Sequence, residues 1–117
     1  MPTRVWIFRV RDILDAIGAI EEYVHEMTYE RFVQDRRTVD AVVRNLITIG
    51  EAASNVPADV QERYAEIPWD NMRRMRNFIV HVYFGVNLPV VWRTIQEDLP
   101  PLKAQLGKAL RDAEKNK

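Results

Sequence analysis

Apolar residues return every three or four positions through most of the chain, and no stretch keeps the two-residue period of a strand. Val10, Ile13, Leu14, Ile17, Ile20, Val24 and Met27 make the first stripe, on a helix expected over residues 4–26. Arg11, Asp12, Asp15, Glu21 and Glu22 fill its other face. Val39, Val42, Val43, Leu46, Ile49 and Ala53 make the second, on a helix over 37–55. The third runs from Leu88 and Val91 through Ile95, Leu99, Leu102 and Leu106 to Leu110. Asn87 is expected to cap that helix, with Pro89 in its first turn. Pro100-Pro101 is expected to break or sharply kink it, because each proline lacks a donor and crowds the preceding turn. Short helices are expected over 29–34, capped by Thr28, and over 58–64 after Pro57. Gly50 sits mid-helix at a cost of ~1 kcal/mol relative to alanine, and is expected to permit a close helix–helix approach. Amphipathic helices with short connections predict an all-α antiparallel bundle of about four to six helices, one domain over 1–117.

The chain is long enough to bury a core without staples. It has no cysteine, which excludes disulfides and thiolate metal sites and suits a reducing cytosol. No segment approaches ~18 uninterrupted apolar residues, so no membrane span is expected. The first nine residues are too short and interrupted for a signal peptide. A cytoplasmic location follows as the expectation. The formal net charge is +0, which disfavours non-specific coating of nucleic acid but leaves room for a local basic patch.

Such a patch stands in one phrase, Arg73-Arg74-Met75-Arg76-Asn77-Phe78-Ile79-Val80-His81-Val82-Tyr83. Interleaved apolar residues predict a helix from Trp69 to Gly85. On a regular wheel Asn77 and His81 share a face, and Arg74 lies nearly in line with them. Arg76 aligns with Tyr83 instead, roughly 140° from His81 at ~100° per residue. A straight helix therefore does not place Arg76 beside His81. Either the long arginine side chain swings round, or a second copy of the helix completes the site.

Other constellations are weaker. Glu22-Tyr23-Val24-His25 has the Glu-x-x-His spacing of di-iron bundles, but no second copy exists, so no metal site and no cofactor are expected. The spacing of Arg76 and His81 alone is a short motif that chance supplies readily in an arginine-rich chain.

The whole phrase, however, resembles the HEPN ribonucleases, whose signature is an arginine, a polar residue and then a histidine on a helix. Tyr83, two residues past His81, fits the HepT branch more closely. Arg44-Asn45-Leu46-Ile47-Thr48-Ile49-Gly50-Glu51-Ala52-Ala53 is similar to that branch's second-helix signature. Ile67-Pro68-Trp69 and the run from Val91 to Pro100 also fit. The resemblance implies an RNA-degrading toxin with Arg76, Asn77 and His81 as catalytic residues. It implies a partner antitoxin, a minimal nucleotidyltransferase of the MntA type, which transfers AMP from ATP to Tyr83 and silences the toxin.

The residues suit that chemistry. RNA can be cut without metal when its 2′-oxygen attacks the adjacent phosphate. Histidine moves protons at neutral pH, and Arg76 supplies fixed positive charge for the phosphorane oxygens. Asn77 can orient the imidazole or bond a phosphate oxygen. Arg73 and Arg74 are expected to extend the positive surface for the RNA backbone. One helix carries one histidine, whereas two-sided proton transfer needs an acid and a base. A two-fold homodimer with a composite cleft is therefore expected. Two other classes fit less well: a catalytically silent module that only pairs with a nucleotidyltransferase, and a helical protein that holds a mononucleotide in the arginine cleft.

Overall fold

The computed structural model describes residues 5–77 and 87–115, and every regular element among them is helical. The helices are α1 (Val5–Tyr23), α2 (Tyr29–Gln34), α3 (Arg36–Ser54), α4 (Ala58–Arg63), α5 (Trp69–Arg74), α6 (Leu88–Arg93) and α7 (Leu99–Lys115). A 3₁₀ turn, Met75–Asn77, follows α5. A π turn, Thr94–Asp98, joins α6 to α7. Counted as one rod, 88–115 brings the described helices to six.

The apolar stripes become the core. Val10, Ile13, Ile17 and Ile20 of α1 meet Val42, Leu46 and Ile49 of α3 and Leu99, Leu102 and Leu106 of α7, all fully or almost fully buried. Each such side chain contributes about 1.5–3 kcal/mol. Surface ion pairs show the relative direction of the helices. Arg11 near the start of α1 pairs with Glu114 near the end of α7, and Glu21 near the end of α1 pairs with Lys103 at 2.9 Å. α1 and α7 are therefore antiparallel, as the bundle requires.

Caps set the helix ends. Thr28 Oγ1 accepts the Arg31 N–H at 3.2 Å, the cap expected for α2. α3 starts at Arg36 because Asp35 caps it, accepting the Thr38 N–H at 3.1 Å. α1 is shorter than its stripe suggests. It ends at Tyr23, and Glu26 takes a left-handed φ of 61° that turns the chain toward α2. His25 lies past the helix end, with Nε2 3.2 Å from Glu26 Oε1, so Glu22 and His25 do not form a helical Glu-x-x-His pair. Asn87 precedes α6 without a side-chain cap bond, although Pro89 stands in the first turn as expected.

The expected break at Pro100-Pro101 does not occur. α7 begins at Leu99, so both prolines fall in its first turn, directly after the π turn, and the backbone stays helical across the join. The wider π turn before them carries the chain through, with the Leu99 N–H donating to the Thr94 carbonyl. Val91, Ile95 and Leu99 keep one buried face across the join. No helix among the described residues is long and apolar enough to cross a membrane.

The aromatic residues tie the α4–α5 link to the end of the bundle where α1 starts and α7 finishes. Tyr64 donates its hydroxyl to Asp112 Oδ2 at 2.7 Å, and its ring lies 5.8 Å from that of Trp6. Burial first, and then the Asp112 carboxylate, hold the Tyr64 phenol above its ordinary pKa. Trp69 Nε1 donates to the Tyr64 carbonyl at 3.1 Å, which fixes the start of α5.

The Asp35 cap gives a pH prediction. The Thr38 backbone N–H, with the Thr38 side chain, holds the Asp35 carboxyl below the usual range. A depressed carboxyl stabilises the fold above its unfolded pKa and loses that contribution as pH falls through its folded pKa. Asp35→Ala is expected to lower Tm at pH 7, and the gap from wild type should close in acid below the ordinary carboxylate range. A gap independent of pH in thermal melts would mean that the charge on the cap contributes nothing.

Candidate active site

The arginine phrase lies where α5 crosses α3 at Gly50. A Cβ built on Gly50 would stand 2.8 Å from the Arg76 backbone nitrogen, 3.0 Å from the Met72 carbonyl oxygen and 3.1 Å from that of Arg73. All three neighbours are main-chain atoms, which cannot rotate away. The expected close approach is therefore real, and its other side is the segment that carries the candidate site. Met72 and Met75 anchor that segment from beneath, both buried.

At this crossing the backbone departs from the expected helix. α5 ends at Arg74, and Met75–Asn77 tightens into a 3₁₀ turn, with the Met75 N–H donating to the Met72 carbonyl. At 3.0 residues per turn the tighter coil advances ~120° per residue. The regular wheel that aligned Arg74, Asn77 and His81 therefore does not hold through this turn. His81 and Tyr83 lie outside the described residues, as does the expected remainder of the helix.

The three arginines fan out instead of forming one patch. Arg73 turns toward α4: its Nη1 donates to Gln61 Oε1 at 2.8 Å, and its Nη2 pairs with Asp70 one turn earlier. It is half-buried, and these bonds must be loosened before it can hold a phosphate. Arg74 is exposed and lines a cleft between α5 and the 88–115 rod. Arg76 turns toward α3, where its Nη1 donates to Ser54 Oγ at 3.2 Å. Ser54 Oγ in turn donates to the Gly50 carbonyl at 2.9 Å. Gly50 thus supports Arg76 twice, by leaving room for its backbone and by accepting from the serine that holds its side chain. Ser54 closes α3, so the guanidinium also stands by the partial negative charge of a helix C-terminus. Asn77 ends the 3₁₀ turn and is exposed.

This arrangement can hold an anion. Arg76 presents a planar guanidinium on the surface, and among the described residues it makes one bond, to a serine hydroxyl. Its remaining N–H donors can face a phosphate in the bidentate manner that favours arginine over lysine. Sequence reasoning named Arg76 but not Ser54, which carries no sequence signal beyond its place one turn after Gly50. It also missed Gln61 and Asp70, the partners that occupy Arg73.

Comparison with known proteins identifies a family. Residues 13–109 match the family described as "Ribonuclease HepT-like". The chain belongs to the HepT-like ribonuclease family. A protein of Thermococcus cleftensis named as a probable ribonuclease HepT is 46% identical over 99 residues, which cover 85% of this chain and 90% of that one. A Methanocaldococcus jannaschii protein, whose name pairs a gamma-glutamylcyclotransferase with an RNase assignment, is 38% identical over 105 residues. That match covers 90% of this chain but 47% of the relative. No solved structure matches. The matched span contains α3, α5 and the whole arginine phrase of this HepT-like chain.

Gly50→Ala tests the crossing. Alanine favours a helix by ~1 kcal/mol over glycine, yet here its methyl group meets fixed backbone, and overpacking typically costs about 1–3 kcal/mol. Urea unfolding should show a net loss of stability, and RNA cleavage should fall with it. A stabilised variant would show that α5 can yield without cost.

Proposed function

We propose that this HepT-like ribonuclease is the toxin of a toxin–antitoxin pair: a metal-independent RNA endonuclease with a composite site at a homodimer interface. In this reading an MntA-type nucleotidyltransferase antitoxin silences it by AMPylation of Tyr83. The observation that carries the reading is the exposed guanidinium of Arg76, held by Ser54 above Gly50 at the head of the phrase that ends in His81 and Tyr83.

The reaction is an internal transesterification. A histidine takes the proton of the ribose 2′-hydroxyl, and the 2′-oxygen forms a new bond to the adjacent phosphorus. The bond from phosphorus to the 5′-oxygen breaks, and an acid returns a proton to that leaving oxygen. Imidazole suits both proton transfers near neutral pH. In a two-fold dimer the partner copy of His81 supplies the second one. Arg76 lies beside the phosphorus and stabilises the charge that builds on its non-bridging oxygens. Asn77, next along the turn, orients the imidazole or a phosphate oxygen. Arg74, without a partner among the described residues, draws in the RNA backbone. No step calls for a metal or other cofactor.

Tyr83 serves regulation and not proton transfer. A phenol of ordinary pKa, ~10, is a poor shuttle at neutral pH beside an imidazole. Its oxygen is nonetheless a competent nucleophile toward the α-phosphorus of ATP once a partner enzyme supplies metal and base. Attack forms the tyrosyl–AMP bond and expels pyrophosphate. The added phosphate is then available to the same arginines that would hold RNA.

His81→Ala and Arg76→Ala are each expected to lower RNA cleavage at least ~100-fold with the helical circular dichroism intact. Wild-type cleavage should persist in EDTA. Parental rates in both variants would refute the site, and a monomer by light scattering at micromolar concentration would refute the composite arrangement. Tyr83→Phe should still cut RNA but gain no AMP mass when mixed with the nucleotidyltransferase and ATP. Full modification of that variant in intact-mass spectra would move the acceptor to another tyrosine.

A further inference from the structure

The cleft between α5 and the 88–115 rod plays no part in the phosphate chemistry at Arg76. It holds about 790 Å³, within the ~300–1,000 Å³ range of sites for small organic ligands. Its floor is apolar, with Met72, Met75 and Leu102 buried beneath it. Its rim is polar and comes from three elements. Asn71 and Arg74 come from α5, Arg93 from α6 and Asp98 from the π turn.

Arg74 and Arg93 stand on opposite walls. Both are exposed, and neither has a hydrogen-bond or ion-pair partner among the described residues. Arg11, Arg73 and Arg76 are engaged, whereas Arg74 and Arg93 are set apart by sharing one cleft. Two unengaged guanidinium groups on one cleft raise its positive potential and keep their donors free for an anion. The cleft is not simply basic, because Glu66 and Asp98 also line it. A purely anionic ligand would meet those carboxylates. A nucleotide uses both signs: its phosphate accepts from guanidinium, the N–H groups of its base donate to a carboxylate, and its ring faces rest on apolar side chains. Position points the same way. Only Met75 separates Arg74 from Arg76 along the chain, so a strand engaged at Arg76 can run past the mouth of this cleft.

We propose that the cleft is a subsite for one unpaired nucleotide of the RNA, flanking the one at which the strand is cut. Its phosphates lie on Arg74 and Arg93, and its base lies against the accessible apolar lining, Val90 and Pro101. Asn71 and Asp98 meet the edge of the base and make the enzyme selective at that position. The proposal rests on reading the Arg76 segment as the RNA site. It makes Arg93 a binding residue of the reaction and gives the enzyme a preference for single strands, whose bases are free to enter a pocket.

The probe is a 12-nucleotide single-stranded RNA with every 2′-oxygen methylated, which lacks the nucleophile and cannot be cut by the proposed route. Fluorescence anisotropy across a salt series compares wild type, Arg93→Gln and, as a charge control, Arg37→Gln at the far end of α3. Arg93 is exposed and makes no polar contact through its side chain among the described residues, so its replacement leaves the fold intact, as circular dichroism will check. Arg93→Gln should bind about 10-fold more weakly, the loss of one charge-assisted contact. Its log–log salt slope should be smaller by ~0.7, the single-strand value for one phosphate contact. The control should match wild type, and KM for a cleavable RNA should rise in Arg93→Gln. Wild-type affinity and slope in Arg93→Gln would overturn the proposal. So would saturable binding of free AMP that Arg93→Gln abolishes while RNA affinity stays unchanged, since the cleft would then be a mononucleotide site. Because the probe is never cut, the result stands apart from the fate of Arg76 and His81, which the cleavage rates of their own variants decide.

Discussion

The contact between the Gly50 α-carbon and the backbone of residues 72–76 is the constraint on which the functional half of the molecule depends. At about 3 Å between a virtual Cβ and three main-chain atoms, only glycine lets α3 and α5 approach this closely. The approach lets Met72 and Met75 reach the core. It brings Ser54, one turn further along α3, within reach of the Arg76 guanidinium. It coincides with the place where α5 tightens into a 3₁₀ turn. A glycine inside a helix is a local penalty, and here tertiary packing offsets it with the docking of the segment that carries the site.

That docking gives three neighbouring arginines three different surroundings. Arg73 is bound to Gln61 and Asp70 and ties α5 to α4. Arg76 is steered by one hydroxyl and stays exposed toward solvent. Arg74 opens onto a cleft whose far wall carries Arg93. Charge on this chain therefore works by placement and not by excess, consistent with a formal net charge of +0. A ribonuclease so built draws little on non-specific attraction to RNA and relies on a few directed contacts.

The 88–115 rod shows how a local rule yields to its position in a helix. Two adjacent prolines in a helix interior would forfeit ladder bonds and clash with the preceding turn. Placed in the first turn of α7, directly after a π turn, they do not end the helical run, and Val91, Ile95 and Leu99 keep one buried face across the join. The apolar phase of the sequence already ran through the prolines, and it proved the better guide because burial of that face outweighs a local kink. The same rod forms the far wall of the Arg74 cleft, so its continuity shapes the surface beside the candidate site.

The helical class, the apolar stripes, the Thr28 cap and the special character of Gly50 were all legible in the sequence, because periodicity, capping chemistry and the absence of a side chain are local properties. The phrase around Arg76 was legible for the same reason, and the family match covers it. Three things were decided only by tertiary structure: that Arg73 is occupied, that Arg76 is held by Ser54 twenty-two residues earlier, and that Arg74 faces Arg93 across a cleft. A helical wheel assumes one rotation per residue and no neighbours. The crossing at Gly50 meets a change of pitch at Met75–Asn77, and it gives each arginine a different partner from another helix. Sequence spacing ranks which side chains carry the chemistry, whereas the directions they take are set by the backbone of the helix they pack against.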